Sequence, residues 1–417
     1  MKIVGLIVEY NPFHNGHKLH LEKSKELTGA DYSVAIMSGH FLQRGEPALF
    51  DKWTRAKIAV SNGVDLVIEL PTIYASQSAE YFSYGAIKIL NSLNIIDSIC
   101  FGSEDGDIEL LKLVSKILFE ENDDFKSILK THVNQNNSYP RARQNALIEY
   151  IFSHDKYKNK YNKDVVLNLV SNPNNILGIE YIKALNKLKS NIKPFTITRE
   201  KSDYNSSKLE GHICSATAIR ESLKIDNNID KLKDFIPLKT YENIIETLKS
   251  KKTIFDDDFY NYIVYEIISQ GKNIENVFEI KEGIENKILK EIKNSKNLKE
   301  LLSNIKSKRY TYNTLKRILM NILLNIEKND VRNLMSDSNY CRVLAFNNNG
   351  RKILKKLKKS SDIEIINKFK KDSINTNTSL NLDFKATNIY NLIYNENDYS
   401  FKDLLTSPLF IDNKIDK

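Results

Sequence analysis

The amino-acid sequence predicts an α/β protein: a doubly wound parallel sheet in the N-terminal half, followed by a mainly α-helical, basic domain. Three observations carry this expectation. Four short β-branched runs within the first 103 residues alternate with amphipathic segments of helical spacing. Beyond about residue 231 the pattern changes to long helical periodicity. The net charge of +9 also lies wholly in that second part: residues 1–230 hold 28 Lys+Arg against 28 Asp+Glu, and residues 231–417 hold 34 against 25. A neutral half beside a basic half is expected where one domain performs chemistry and the other holds a polyanion. The chain is rich in Lys, Asn and Ile throughout, but coding bias acts on both halves alike.

The strands read as "KIVGLIVEY", "YSVAIMS", "DLVIELP" and "DSICFGS". Between them, "GHKLHLEKSKEL", "DKWTRAKIAVSN" and "SAEYFSYGAIKILNSL" repeat apolar residues at helical spacing. This βαβαβαβ order makes a parallel sheet covered on both faces, with ligands bound beyond the carboxyl ends of its strands. Residues near 107–165 read as polar helix. "KPFTITRE" supplies a further strand, and a helix starts in "SATAIRESL", where Ser215 or Thr217 can cap it. In the second half, "LKRILMNILLNIEK" and "GRKILKKLKK" are helical, and "CRVLAF" is the main strand signal. At 417 residues two domains are expected, 1–230 and 231–417.

Composition excludes several classes. Hydrophobic residues at 41% against 28% charged are ordinary for a globular chain. Cys100, Cys214 and Cys341 are too few and too scattered for a disulfide framework or a zinc site, which fits a reducing compartment. The opening residues carry no cleavage-site pattern, and no apolar run approaches the ~20 residues of a membrane helix. A cytoplasmic protein without membrane or protein partners is the expectation.

The chemistry concentrates in "NPFHNGH", directly after the first strand. If the helix begins near Gly16 or His17, the histidines His14 and His17 flank its N-terminus. There, free backbone N–H groups and the positive end of the helix dipole favour phosphate. Gly16 lets a ligand approach the main chain. Two imidazoles can then donate hydrogen bonds to phosphate oxygens as charge grows during transfer. Metal binding is the weaker reading of H-x-x-H here, since a loop glycine intervenes and no third ligand lies nearby in sequence. Neither the dinucleotide fingerprint nor the Walker-A pattern is present in this turn.

These residues carry a resemblance. "HNGH" resembles the H-x-G-H signature of the nucleotidylyltransferase superfamily, related to the HIGH motif of class I aminoacyl-tRNA synthetases, and "SATAIR" resembles its second signature, which holds the triphosphate. More closely, the chain is similar to the tRNA(Met) cytidine acetate ligase family. "GLIVEYNPFHNGH", "MSGHFLQRGEPA", "DLVIELP", "PNNILGIEYIKAL" and "IKPFTITR" carry the likeness, which continues through "RYTYNTLKRILMNILL" and "CRVLAFNNNGRKIL". The resemblance implies an enzyme that activates acetate with ATP to acetyl-adenylate and pyrophosphate. It then passes the acetyl group to N4 of the wobble cytidine, position 34, of elongator tRNA(Met) and releases AMP; Mg²⁺ would accompany the nucleotide. A nucleotidylyltransferase acting on a small cofactor precursor is the alternative, and such enzymes lack a basic second half.

By this resemblance the ATP site comprises Ile7, Val8, Glu9, Tyr10, Asn11, Pro12, Phe13, His14, Asn15, Gly16, His17, Lys18, Leu19 and His20, together with Gly102, Asn174 and Arg199. Ser215, Thr217 and Arg220 of the second signature join it, with Arg220 near the β- and γ-phosphates and His14 and His17 as the catalytic pair. His40 stands where the family carries asparagine. Each residue also has a plainer reading: Gly102 as a turn glycine, Asn174 as a helix cap, Arg199 as a strand-end ion pair, Arg220 as a solvated cation. The loop "FLQRGEPALFDKW", with Gln43, Arg44, Glu46 and Asp51, could close over the crevice or be a solvated connection. For RNA, the basic segments "KSKRYTYNTLKR" and "RKILKKLKK" offer Lys306, Lys308, Arg309, Arg317, Arg351, Lys352, Lys355 and Lys356. Tyr310 and Tyr312 are placed to stack on a base.

Overall fold

A computed structural model describes residues 1–135, 139–199, 214–226, 228–281, 283–361, 363–394 and 401–412. The four expected N-terminal strands form as β1 (Ile3–Val8), β2 (Tyr32–Ser38), β3 (Leu66–Leu70) and β4 (Ser98–Ser103), and "KPFTIT" forms β5 (Lys193–Thr198). All five run parallel in the order β5-β4-β1-β2-β3. β3 is buried at every position, and β1, β2 and β4 at all but one, as expected of strands covered by helices on both faces. The chain moves outward from β1 through β2 to β3, then returns to the other side of β1 for β4. Such a reversal opens a crevice at the carboxyl ends of β1 and β4.

The second half completes this sheet as well as packing beside it. β6 (Tyr340–Phe346), which contains the "CRVLAF" signal, pairs antiparallel with β3, and β7 (Glu364–Ile366) and β8 (Leu409–Phe410) each pair with β6. The sheet therefore crosses residue 230. One continuous apolar core runs from Ile3 to Tyr394. The remaining described residues of the second half are mainly helical.

A buried ionic cluster joins the two parts. Lys52, on the helix Lys52–Ser61 behind β3, has no exposed side-chain surface. Its ammonium meets Glu69 of β3 at 2.8 and 2.9 Å and Asp403 at 2.9 Å, and donates to Thr387 at 3.2 Å. Arg342 of β6 reaches the same Asp403 oxygen at 3.4 Å. Burial alone would lower the Lys52 pKa, but Asp403 and Glu69 more than offset it, so the lysine stays charged. Burial raises Glu69, and the Asp383 and Asp403 carboxyls add to that rise against the pull of Lys52. Removing one partner from such a cluster leaves uncompensated buried charge. Lys52→Met should therefore destabilise the whole chain by about 3–5 kcal/mol in urea unfolding, and Lys52→Met/Glu69→Gln should recover part of that loss. An unchanged unfolding midpoint for the single variant would contradict the assignment.

Candidate active site

The crevice holds a cavity of about 270 Å³. Ile7 to Asn11 line it from the end of β1, Phe101 and Gly102 from β4, and Ile197 to Arg199 from β5. One wall is apolar, built from Phe82, Phe101, Leu177, Tyr181 and Ile197, and suits a planar base. The lining also carries His14, His17 and His20 with four cations, Lys23, Arg44, Arg199 and Arg220, and the carboxyls of Glu9 and Glu46. An anionic ligand that carries a planar ring matches this mixed lining.

The helix after β1 runs from Asn15 to Thr28 with His14 as its N-cap, one or two residues earlier than the expected start. His14 Nδ1 accepts from the Gly16 amide at 3.1 Å, and His17 Nδ1 accepts from the His14 amide at 3.3 Å, forming a reciprocal capping box. The Asn15 amide is bonded to the Phe235 carbonyl at 3.0 Å, and those of His17 and Lys18 return to the His14 carbonyl. This corrects the expectation that free amides face the phosphate: the first amides of the helix are already satisfied. With each Nδ1 serving as an acceptor, the neutral tautomer that fits carries its proton on Nε2. The two rings lie together, centroids 3.8 Å apart.

Burial pushes His14 down to about 3, with Arg199 and Arg220 adding to the effect. Burial likewise holds His17 well below the usual imidazole range, helped by His14 and Arg199 and opposed by the Pro12 carbonyl. His20 is pushed down to about 4 by burial and Arg199, and its Nε2 is buried with no hydrogen-bond partner among the described residues. The three rings are neutral near pH 7, in a field that favours an incoming anion.

Of the sequence-derived ATP residues, Ile7, Val8, Glu9, Tyr10, Asn11, His14, Gly16, His17, Leu19, His20, Gly102, Asn174, Arg199, Ser215, Thr217 and Arg220 line the cavity. Pro12, Phe13, Asn15 and Lys18 do not. Phe13 is buried against Tyr10 and His17, Asn15 donates to the Asp234 carbonyl at 2.9 Å, and Lys18 points to solvent. Gly102 needs its missing side chain, because a Cβ there would stand 2.9 Å from Arg199 Cγ.

The plainer reading of Asn174 as a cap falls away, since Asn174 does not cap its helix. The N-cap is Asn172, and Pro173 opens the helix Pro173–Lys187. Glu104, just past β4, caps this end from outside, accepting from the Asn174 and Asn175 amides at 3.2 and 2.9 Å and from Asn174 Nδ2 at 2.8 Å. Ser215, rather than Thr217, caps the helix Ala216–Asp226, accepting from the Ala218 amide at 3.1 Å. Arg220 is not a solvated surface cation: it donates to the Asn11 carbonyl at 3.0 Å and lies 3.7 Å from Glu46.

Sequence reasoning gave no role to individual residues of the loop after β2, yet Leu42, Gln43, Arg44 and Glu46 close one side of the cavity. The Gln43 amide donates to Glu9 Oε1 at 2.9 Å, which fastens the loop to the end of β1. Burial raises the Glu9 carboxyl and nearby Glu46 reinforces the rise, while the Gln43 amide, Arg44 and Arg220 oppose it. Asp51 caps the next helix through the Thr54 amide at 2.6 Å. His40 lies outside the cavity, buried with its ring 4.4 Å from that of Tyr390.

The proposed RNA contacts separate under the structure. Arg317 is buried and bound by two nitrogens to Glu279, at 3.0 and 3.2 Å, so it is not available to a phosphate. Lys308, Arg309, Arg351, Lys352 and Lys355 are exposed; Lys306 and Lys356 are half-buried. The Arg351 guanidinium rests 4.4 Å from the Phe410 ring. Tyr312 is exposed, whereas Tyr310 is half-buried and donates to the Lys281 carbonyl.

A pH effect follows from the histidines. Their folded pKa values lie below the unfolded value, so protons bind preferentially to the unfolded chain once pH falls below about 6.5. Stability is full above that pH and declines as pH falls through the folded values, about 4 for His20 and about 3 for His14, on the order of 1 kcal/mol per pH unit for each of these two rings. His14→Asn keeps a capping acceptor and removes one titration. Its urea-unfolding free energy should therefore fall less steeply from pH 7 to pH 5 than that of the unaltered chain, and equal slopes would refute the assignment.

Comparison with known proteins agrees with this geometry. Residues 1–403 match the family described as HIGH Nucleotidyl Transferase. The tRNA(Met) cytidine acetate ligase of Clostridium novyi (strain NT) is 46% identical over 412 residues, which span 99% of this chain and all of that protein. The crystal structure of apo Thermotoga maritima TmcAL (form I) is 31% identical and superposes with a TM-score of 0.92, covering 99% of this chain and 100% of that one. The same protein bound with alpha-thio ATP superposes with a TM-score of 0.89 at the same identity and coverage. A capped H-x-G-H turn at a sheet crevice and full-length likeness at this level place the chain in the HIGH nucleotidyl transferase family, among the tRNA(Met) cytidine acetate ligases.

Proposed function

We propose that this chain is an ATP-dependent acetate ligase that forms acetyl-adenylate and transfers the acetyl group to N4 of the wobble cytidine, position 34, of elongator tRNA(Met). The observation that carries the chemistry is the pair of neutral imidazoles at the cavity, each holding its capping hydrogen bond through Nδ1. A full-length relative named for this ligation and a structural neighbour bound with alpha-thio ATP support the choice of reaction.

In this reading the adenine lies against the apolar wall of Phe101, Leu177 and Tyr181. The α-phosphate sits at the N-terminus of the helix Asn15–Thr28, where the dipole and the Nε2–H groups of His14 and His17 oppose the charge that grows in the transition state. An acetate oxygen attacks the α-phosphorus as its bond to the bridging oxygen breaks, giving the mixed anhydride and pyrophosphate. Arg199 and Arg220 draw on the β- and γ-phosphates. Among the described residues no three His, Cys, Asp or Glu side chains group as metal ligands. Mg²⁺ would accompany the phosphates of the nucleotide and offset their charge, and the carboxyls of Glu9 and Glu46, which line the cavity, are the side chains that would hold it.

In the second step the cytidine N4 attacks the acetyl carbonyl carbon, the bond to the phosphate oxygen breaks, and AMP leaves as N4 loses one proton. An exocyclic amine is a weak nucleophile, so the activated carbonyl supplies the driving force. The basic half, 231–417, presents the anticodon base, with Lys306, Lys308, Arg309, Arg351, Lys352, Lys355 and Lys356 as the assigned phosphate contacts. We place the reaction in the cytoplasm; no helix among the described residues is long and apolar enough to cross a membrane.

Incubation with ATP, labelled acetate and tRNA should yield labelled N4-acetylcytidine by mass spectrometry of the nucleosides, with AMP release dependent on both acetate and tRNA. His17→Ala should lower acetate-dependent ATP–pyrophosphate exchange by about 10²–10³-fold, the size of a lost oxyanion-type donor. An unchanged rate would remove His17 from the mechanism.

A further inference from the structure

The helices Ala79–Ser92 and Pro173–Lys187 line the first cavity with Phe82, Leu177 and Tyr181 and turn other faces to a second one of about 360 Å³. Tyr81, Tyr84 and Lys88 of one helix and Glu180, Lys183 and Lys187 of the other are spaced i, i+3, i+7, so each set forms a single stripe. The short helix Val331–Ser336 closes the far side and brings Arg332 to the rim. The cavity thus takes walls from both the neutral and the basic half of the chain.

Its floor is rigid. The Tyr74 hydroxyl donates to the Met335 carbonyl at 3.1 Å and accepts from Ser338 Oγ at 3.0 Å. The Tyr74 ring lies so close to the next helix that a Cβ on Gly85 would stand 2.1 Å from its Cγ, so only glycine fits there. Tyr84 meets this ring edge-on at 6.3 Å. Lys88 is tied down by the Met335 carbonyl at 2.9 Å and Ser338 Oγ at 3.2 Å.

The charges divide by position. Lys183 is held between Glu80 and Glu180, at 3.2 Å from each, and Arg143 adds a contact to Glu180 at 3.5 Å, so both carboxylates are compensated inside the protein. Lys187 and Arg332 are exposed and make no ion pair with a carboxylate among the described residues. The Lys187 ammonium lies 4.8 Å from the centre of the Tyr84 ring. Aromatic faces inside with cations at the rim are what a base and its phosphate require, and the volume is of the order of a small-ligand site.

We propose that this second cavity binds a nucleotide, its base against Tyr84 and Tyr81 and its phosphate on Lys187 and Arg332, and that the nucleotide is a single-stranded residue of the tRNA other than the cytidine to be acetylated. The inference rests on the reading above that tRNA is the substrate. Because both cavities use the same two helices, an RNA segment engaged at the second is held about one helix diameter, roughly 10–12 Å, from the first.

The test uses the full chain with Lys187→Glu, Arg332→Glu and Tyr84→Ala. The two charge reversals sit on exposed positions, so folding should survive them. Filter binding of tRNA across a salt series, acetyl transfer from labelled acetate, and acetate-dependent ATP–pyrophosphate exchange without tRNA are measured together. The expected result is a rise of tenfold or so in Kd and KM for tRNA with each variant, a salt slope reduced by about one for each charge reversal, and unchanged exchange. Unaltered Kd, KM and salt slope in all three would overturn the proposal. Calorimetry with CMP separates the sources: CMP binding lost in Tyr84→Ala while tRNA Kd stays constant would identify a free-nucleotide site and overturn the tRNA assignment. Absence of exchange in the unaltered chain would count against the acetate-ligase reading, and tRNA affinity would still decide this one.

Discussion

A helix N-terminus leaves amide groups without intrahelical partners, and the way this chain satisfies them determines the chemistry of its crevice. At the helix Asn15–Thr28 the Gly16 amide is taken by a ring nitrogen of His14, and the His14 amide by a ring nitrogen of His17. The Asn15 amide is taken by a carbonyl from Phe235. Backbone donors are thereby converted into side-chain donors: the helix end keeps its dipole, but the protons presented to a ligand belong to imidazoles. The same bonds fit one tautomer, the rings lie 3.8 Å apart, and burial keeps both neutral, helped by Arg199 on each ring and by Arg220 on His14. A cationic pair that close would repel, whereas a neutral pair can wait for a phosphate without internal cost.

The sheet and the cavity are built by different means. The order of β1 to β5 places the crevice, while residues remote in sequence supply its lining: the loop after β2, the cap of Pro173–Lys187 by Glu104, and the second-signature helix with Arg220. The second half is structurally continuous with the first. β6 extends the sheet beyond β3, and Lys52 binds Asp403 as closely as it binds Glu69. The second half is thus anchored to the first through hydrogen bonds, a shared core and a buried ionic cluster, which restricts its freedom to swing relative to the crevice.

Much of the site was legible before any coordinates. The βαβ alternation, the H-x-G-H turn and the end-of-strand positions of Gly102 and Arg199 are local signals, and the structure brings those residues to one cavity. Two expectations and one plainer reading failed for reasons of packing. Arg317 read as one cation of an exposed basic stripe, but it turns inward to Glu279 on a chain segment 38 residues away. The plainer reading of Asn174, beside its place in the nucleotide site, was a cap after Pro173, while the amides at that helix end are met by Glu104, 70 residues upstream. Free amides were expected at the helix start, and a carbonyl from Phe235 occupies one of them. Gln43, Arg44 and Glu46 lie in a stretch that carries the family likeness, but no local signal assigned a role to any one of them in a polar loop.

The sequence by itself determined the alternation of strands and helices, the position of the two histidines at a helix start, and the segregation of positive charge into residues 231–417, because each depends on neighbours within a few turns or on composition. Tertiary structure alone decided the pairing of β6 with β3, the partners of Lys52, Arg220 and Arg317, and the meeting of two helices and Arg332 around a second cavity. Those outcomes rest on charge compensation and close contact between residues far apart along the chain, and no local periodicity encodes which distant partner a buried or cavity-facing group will find.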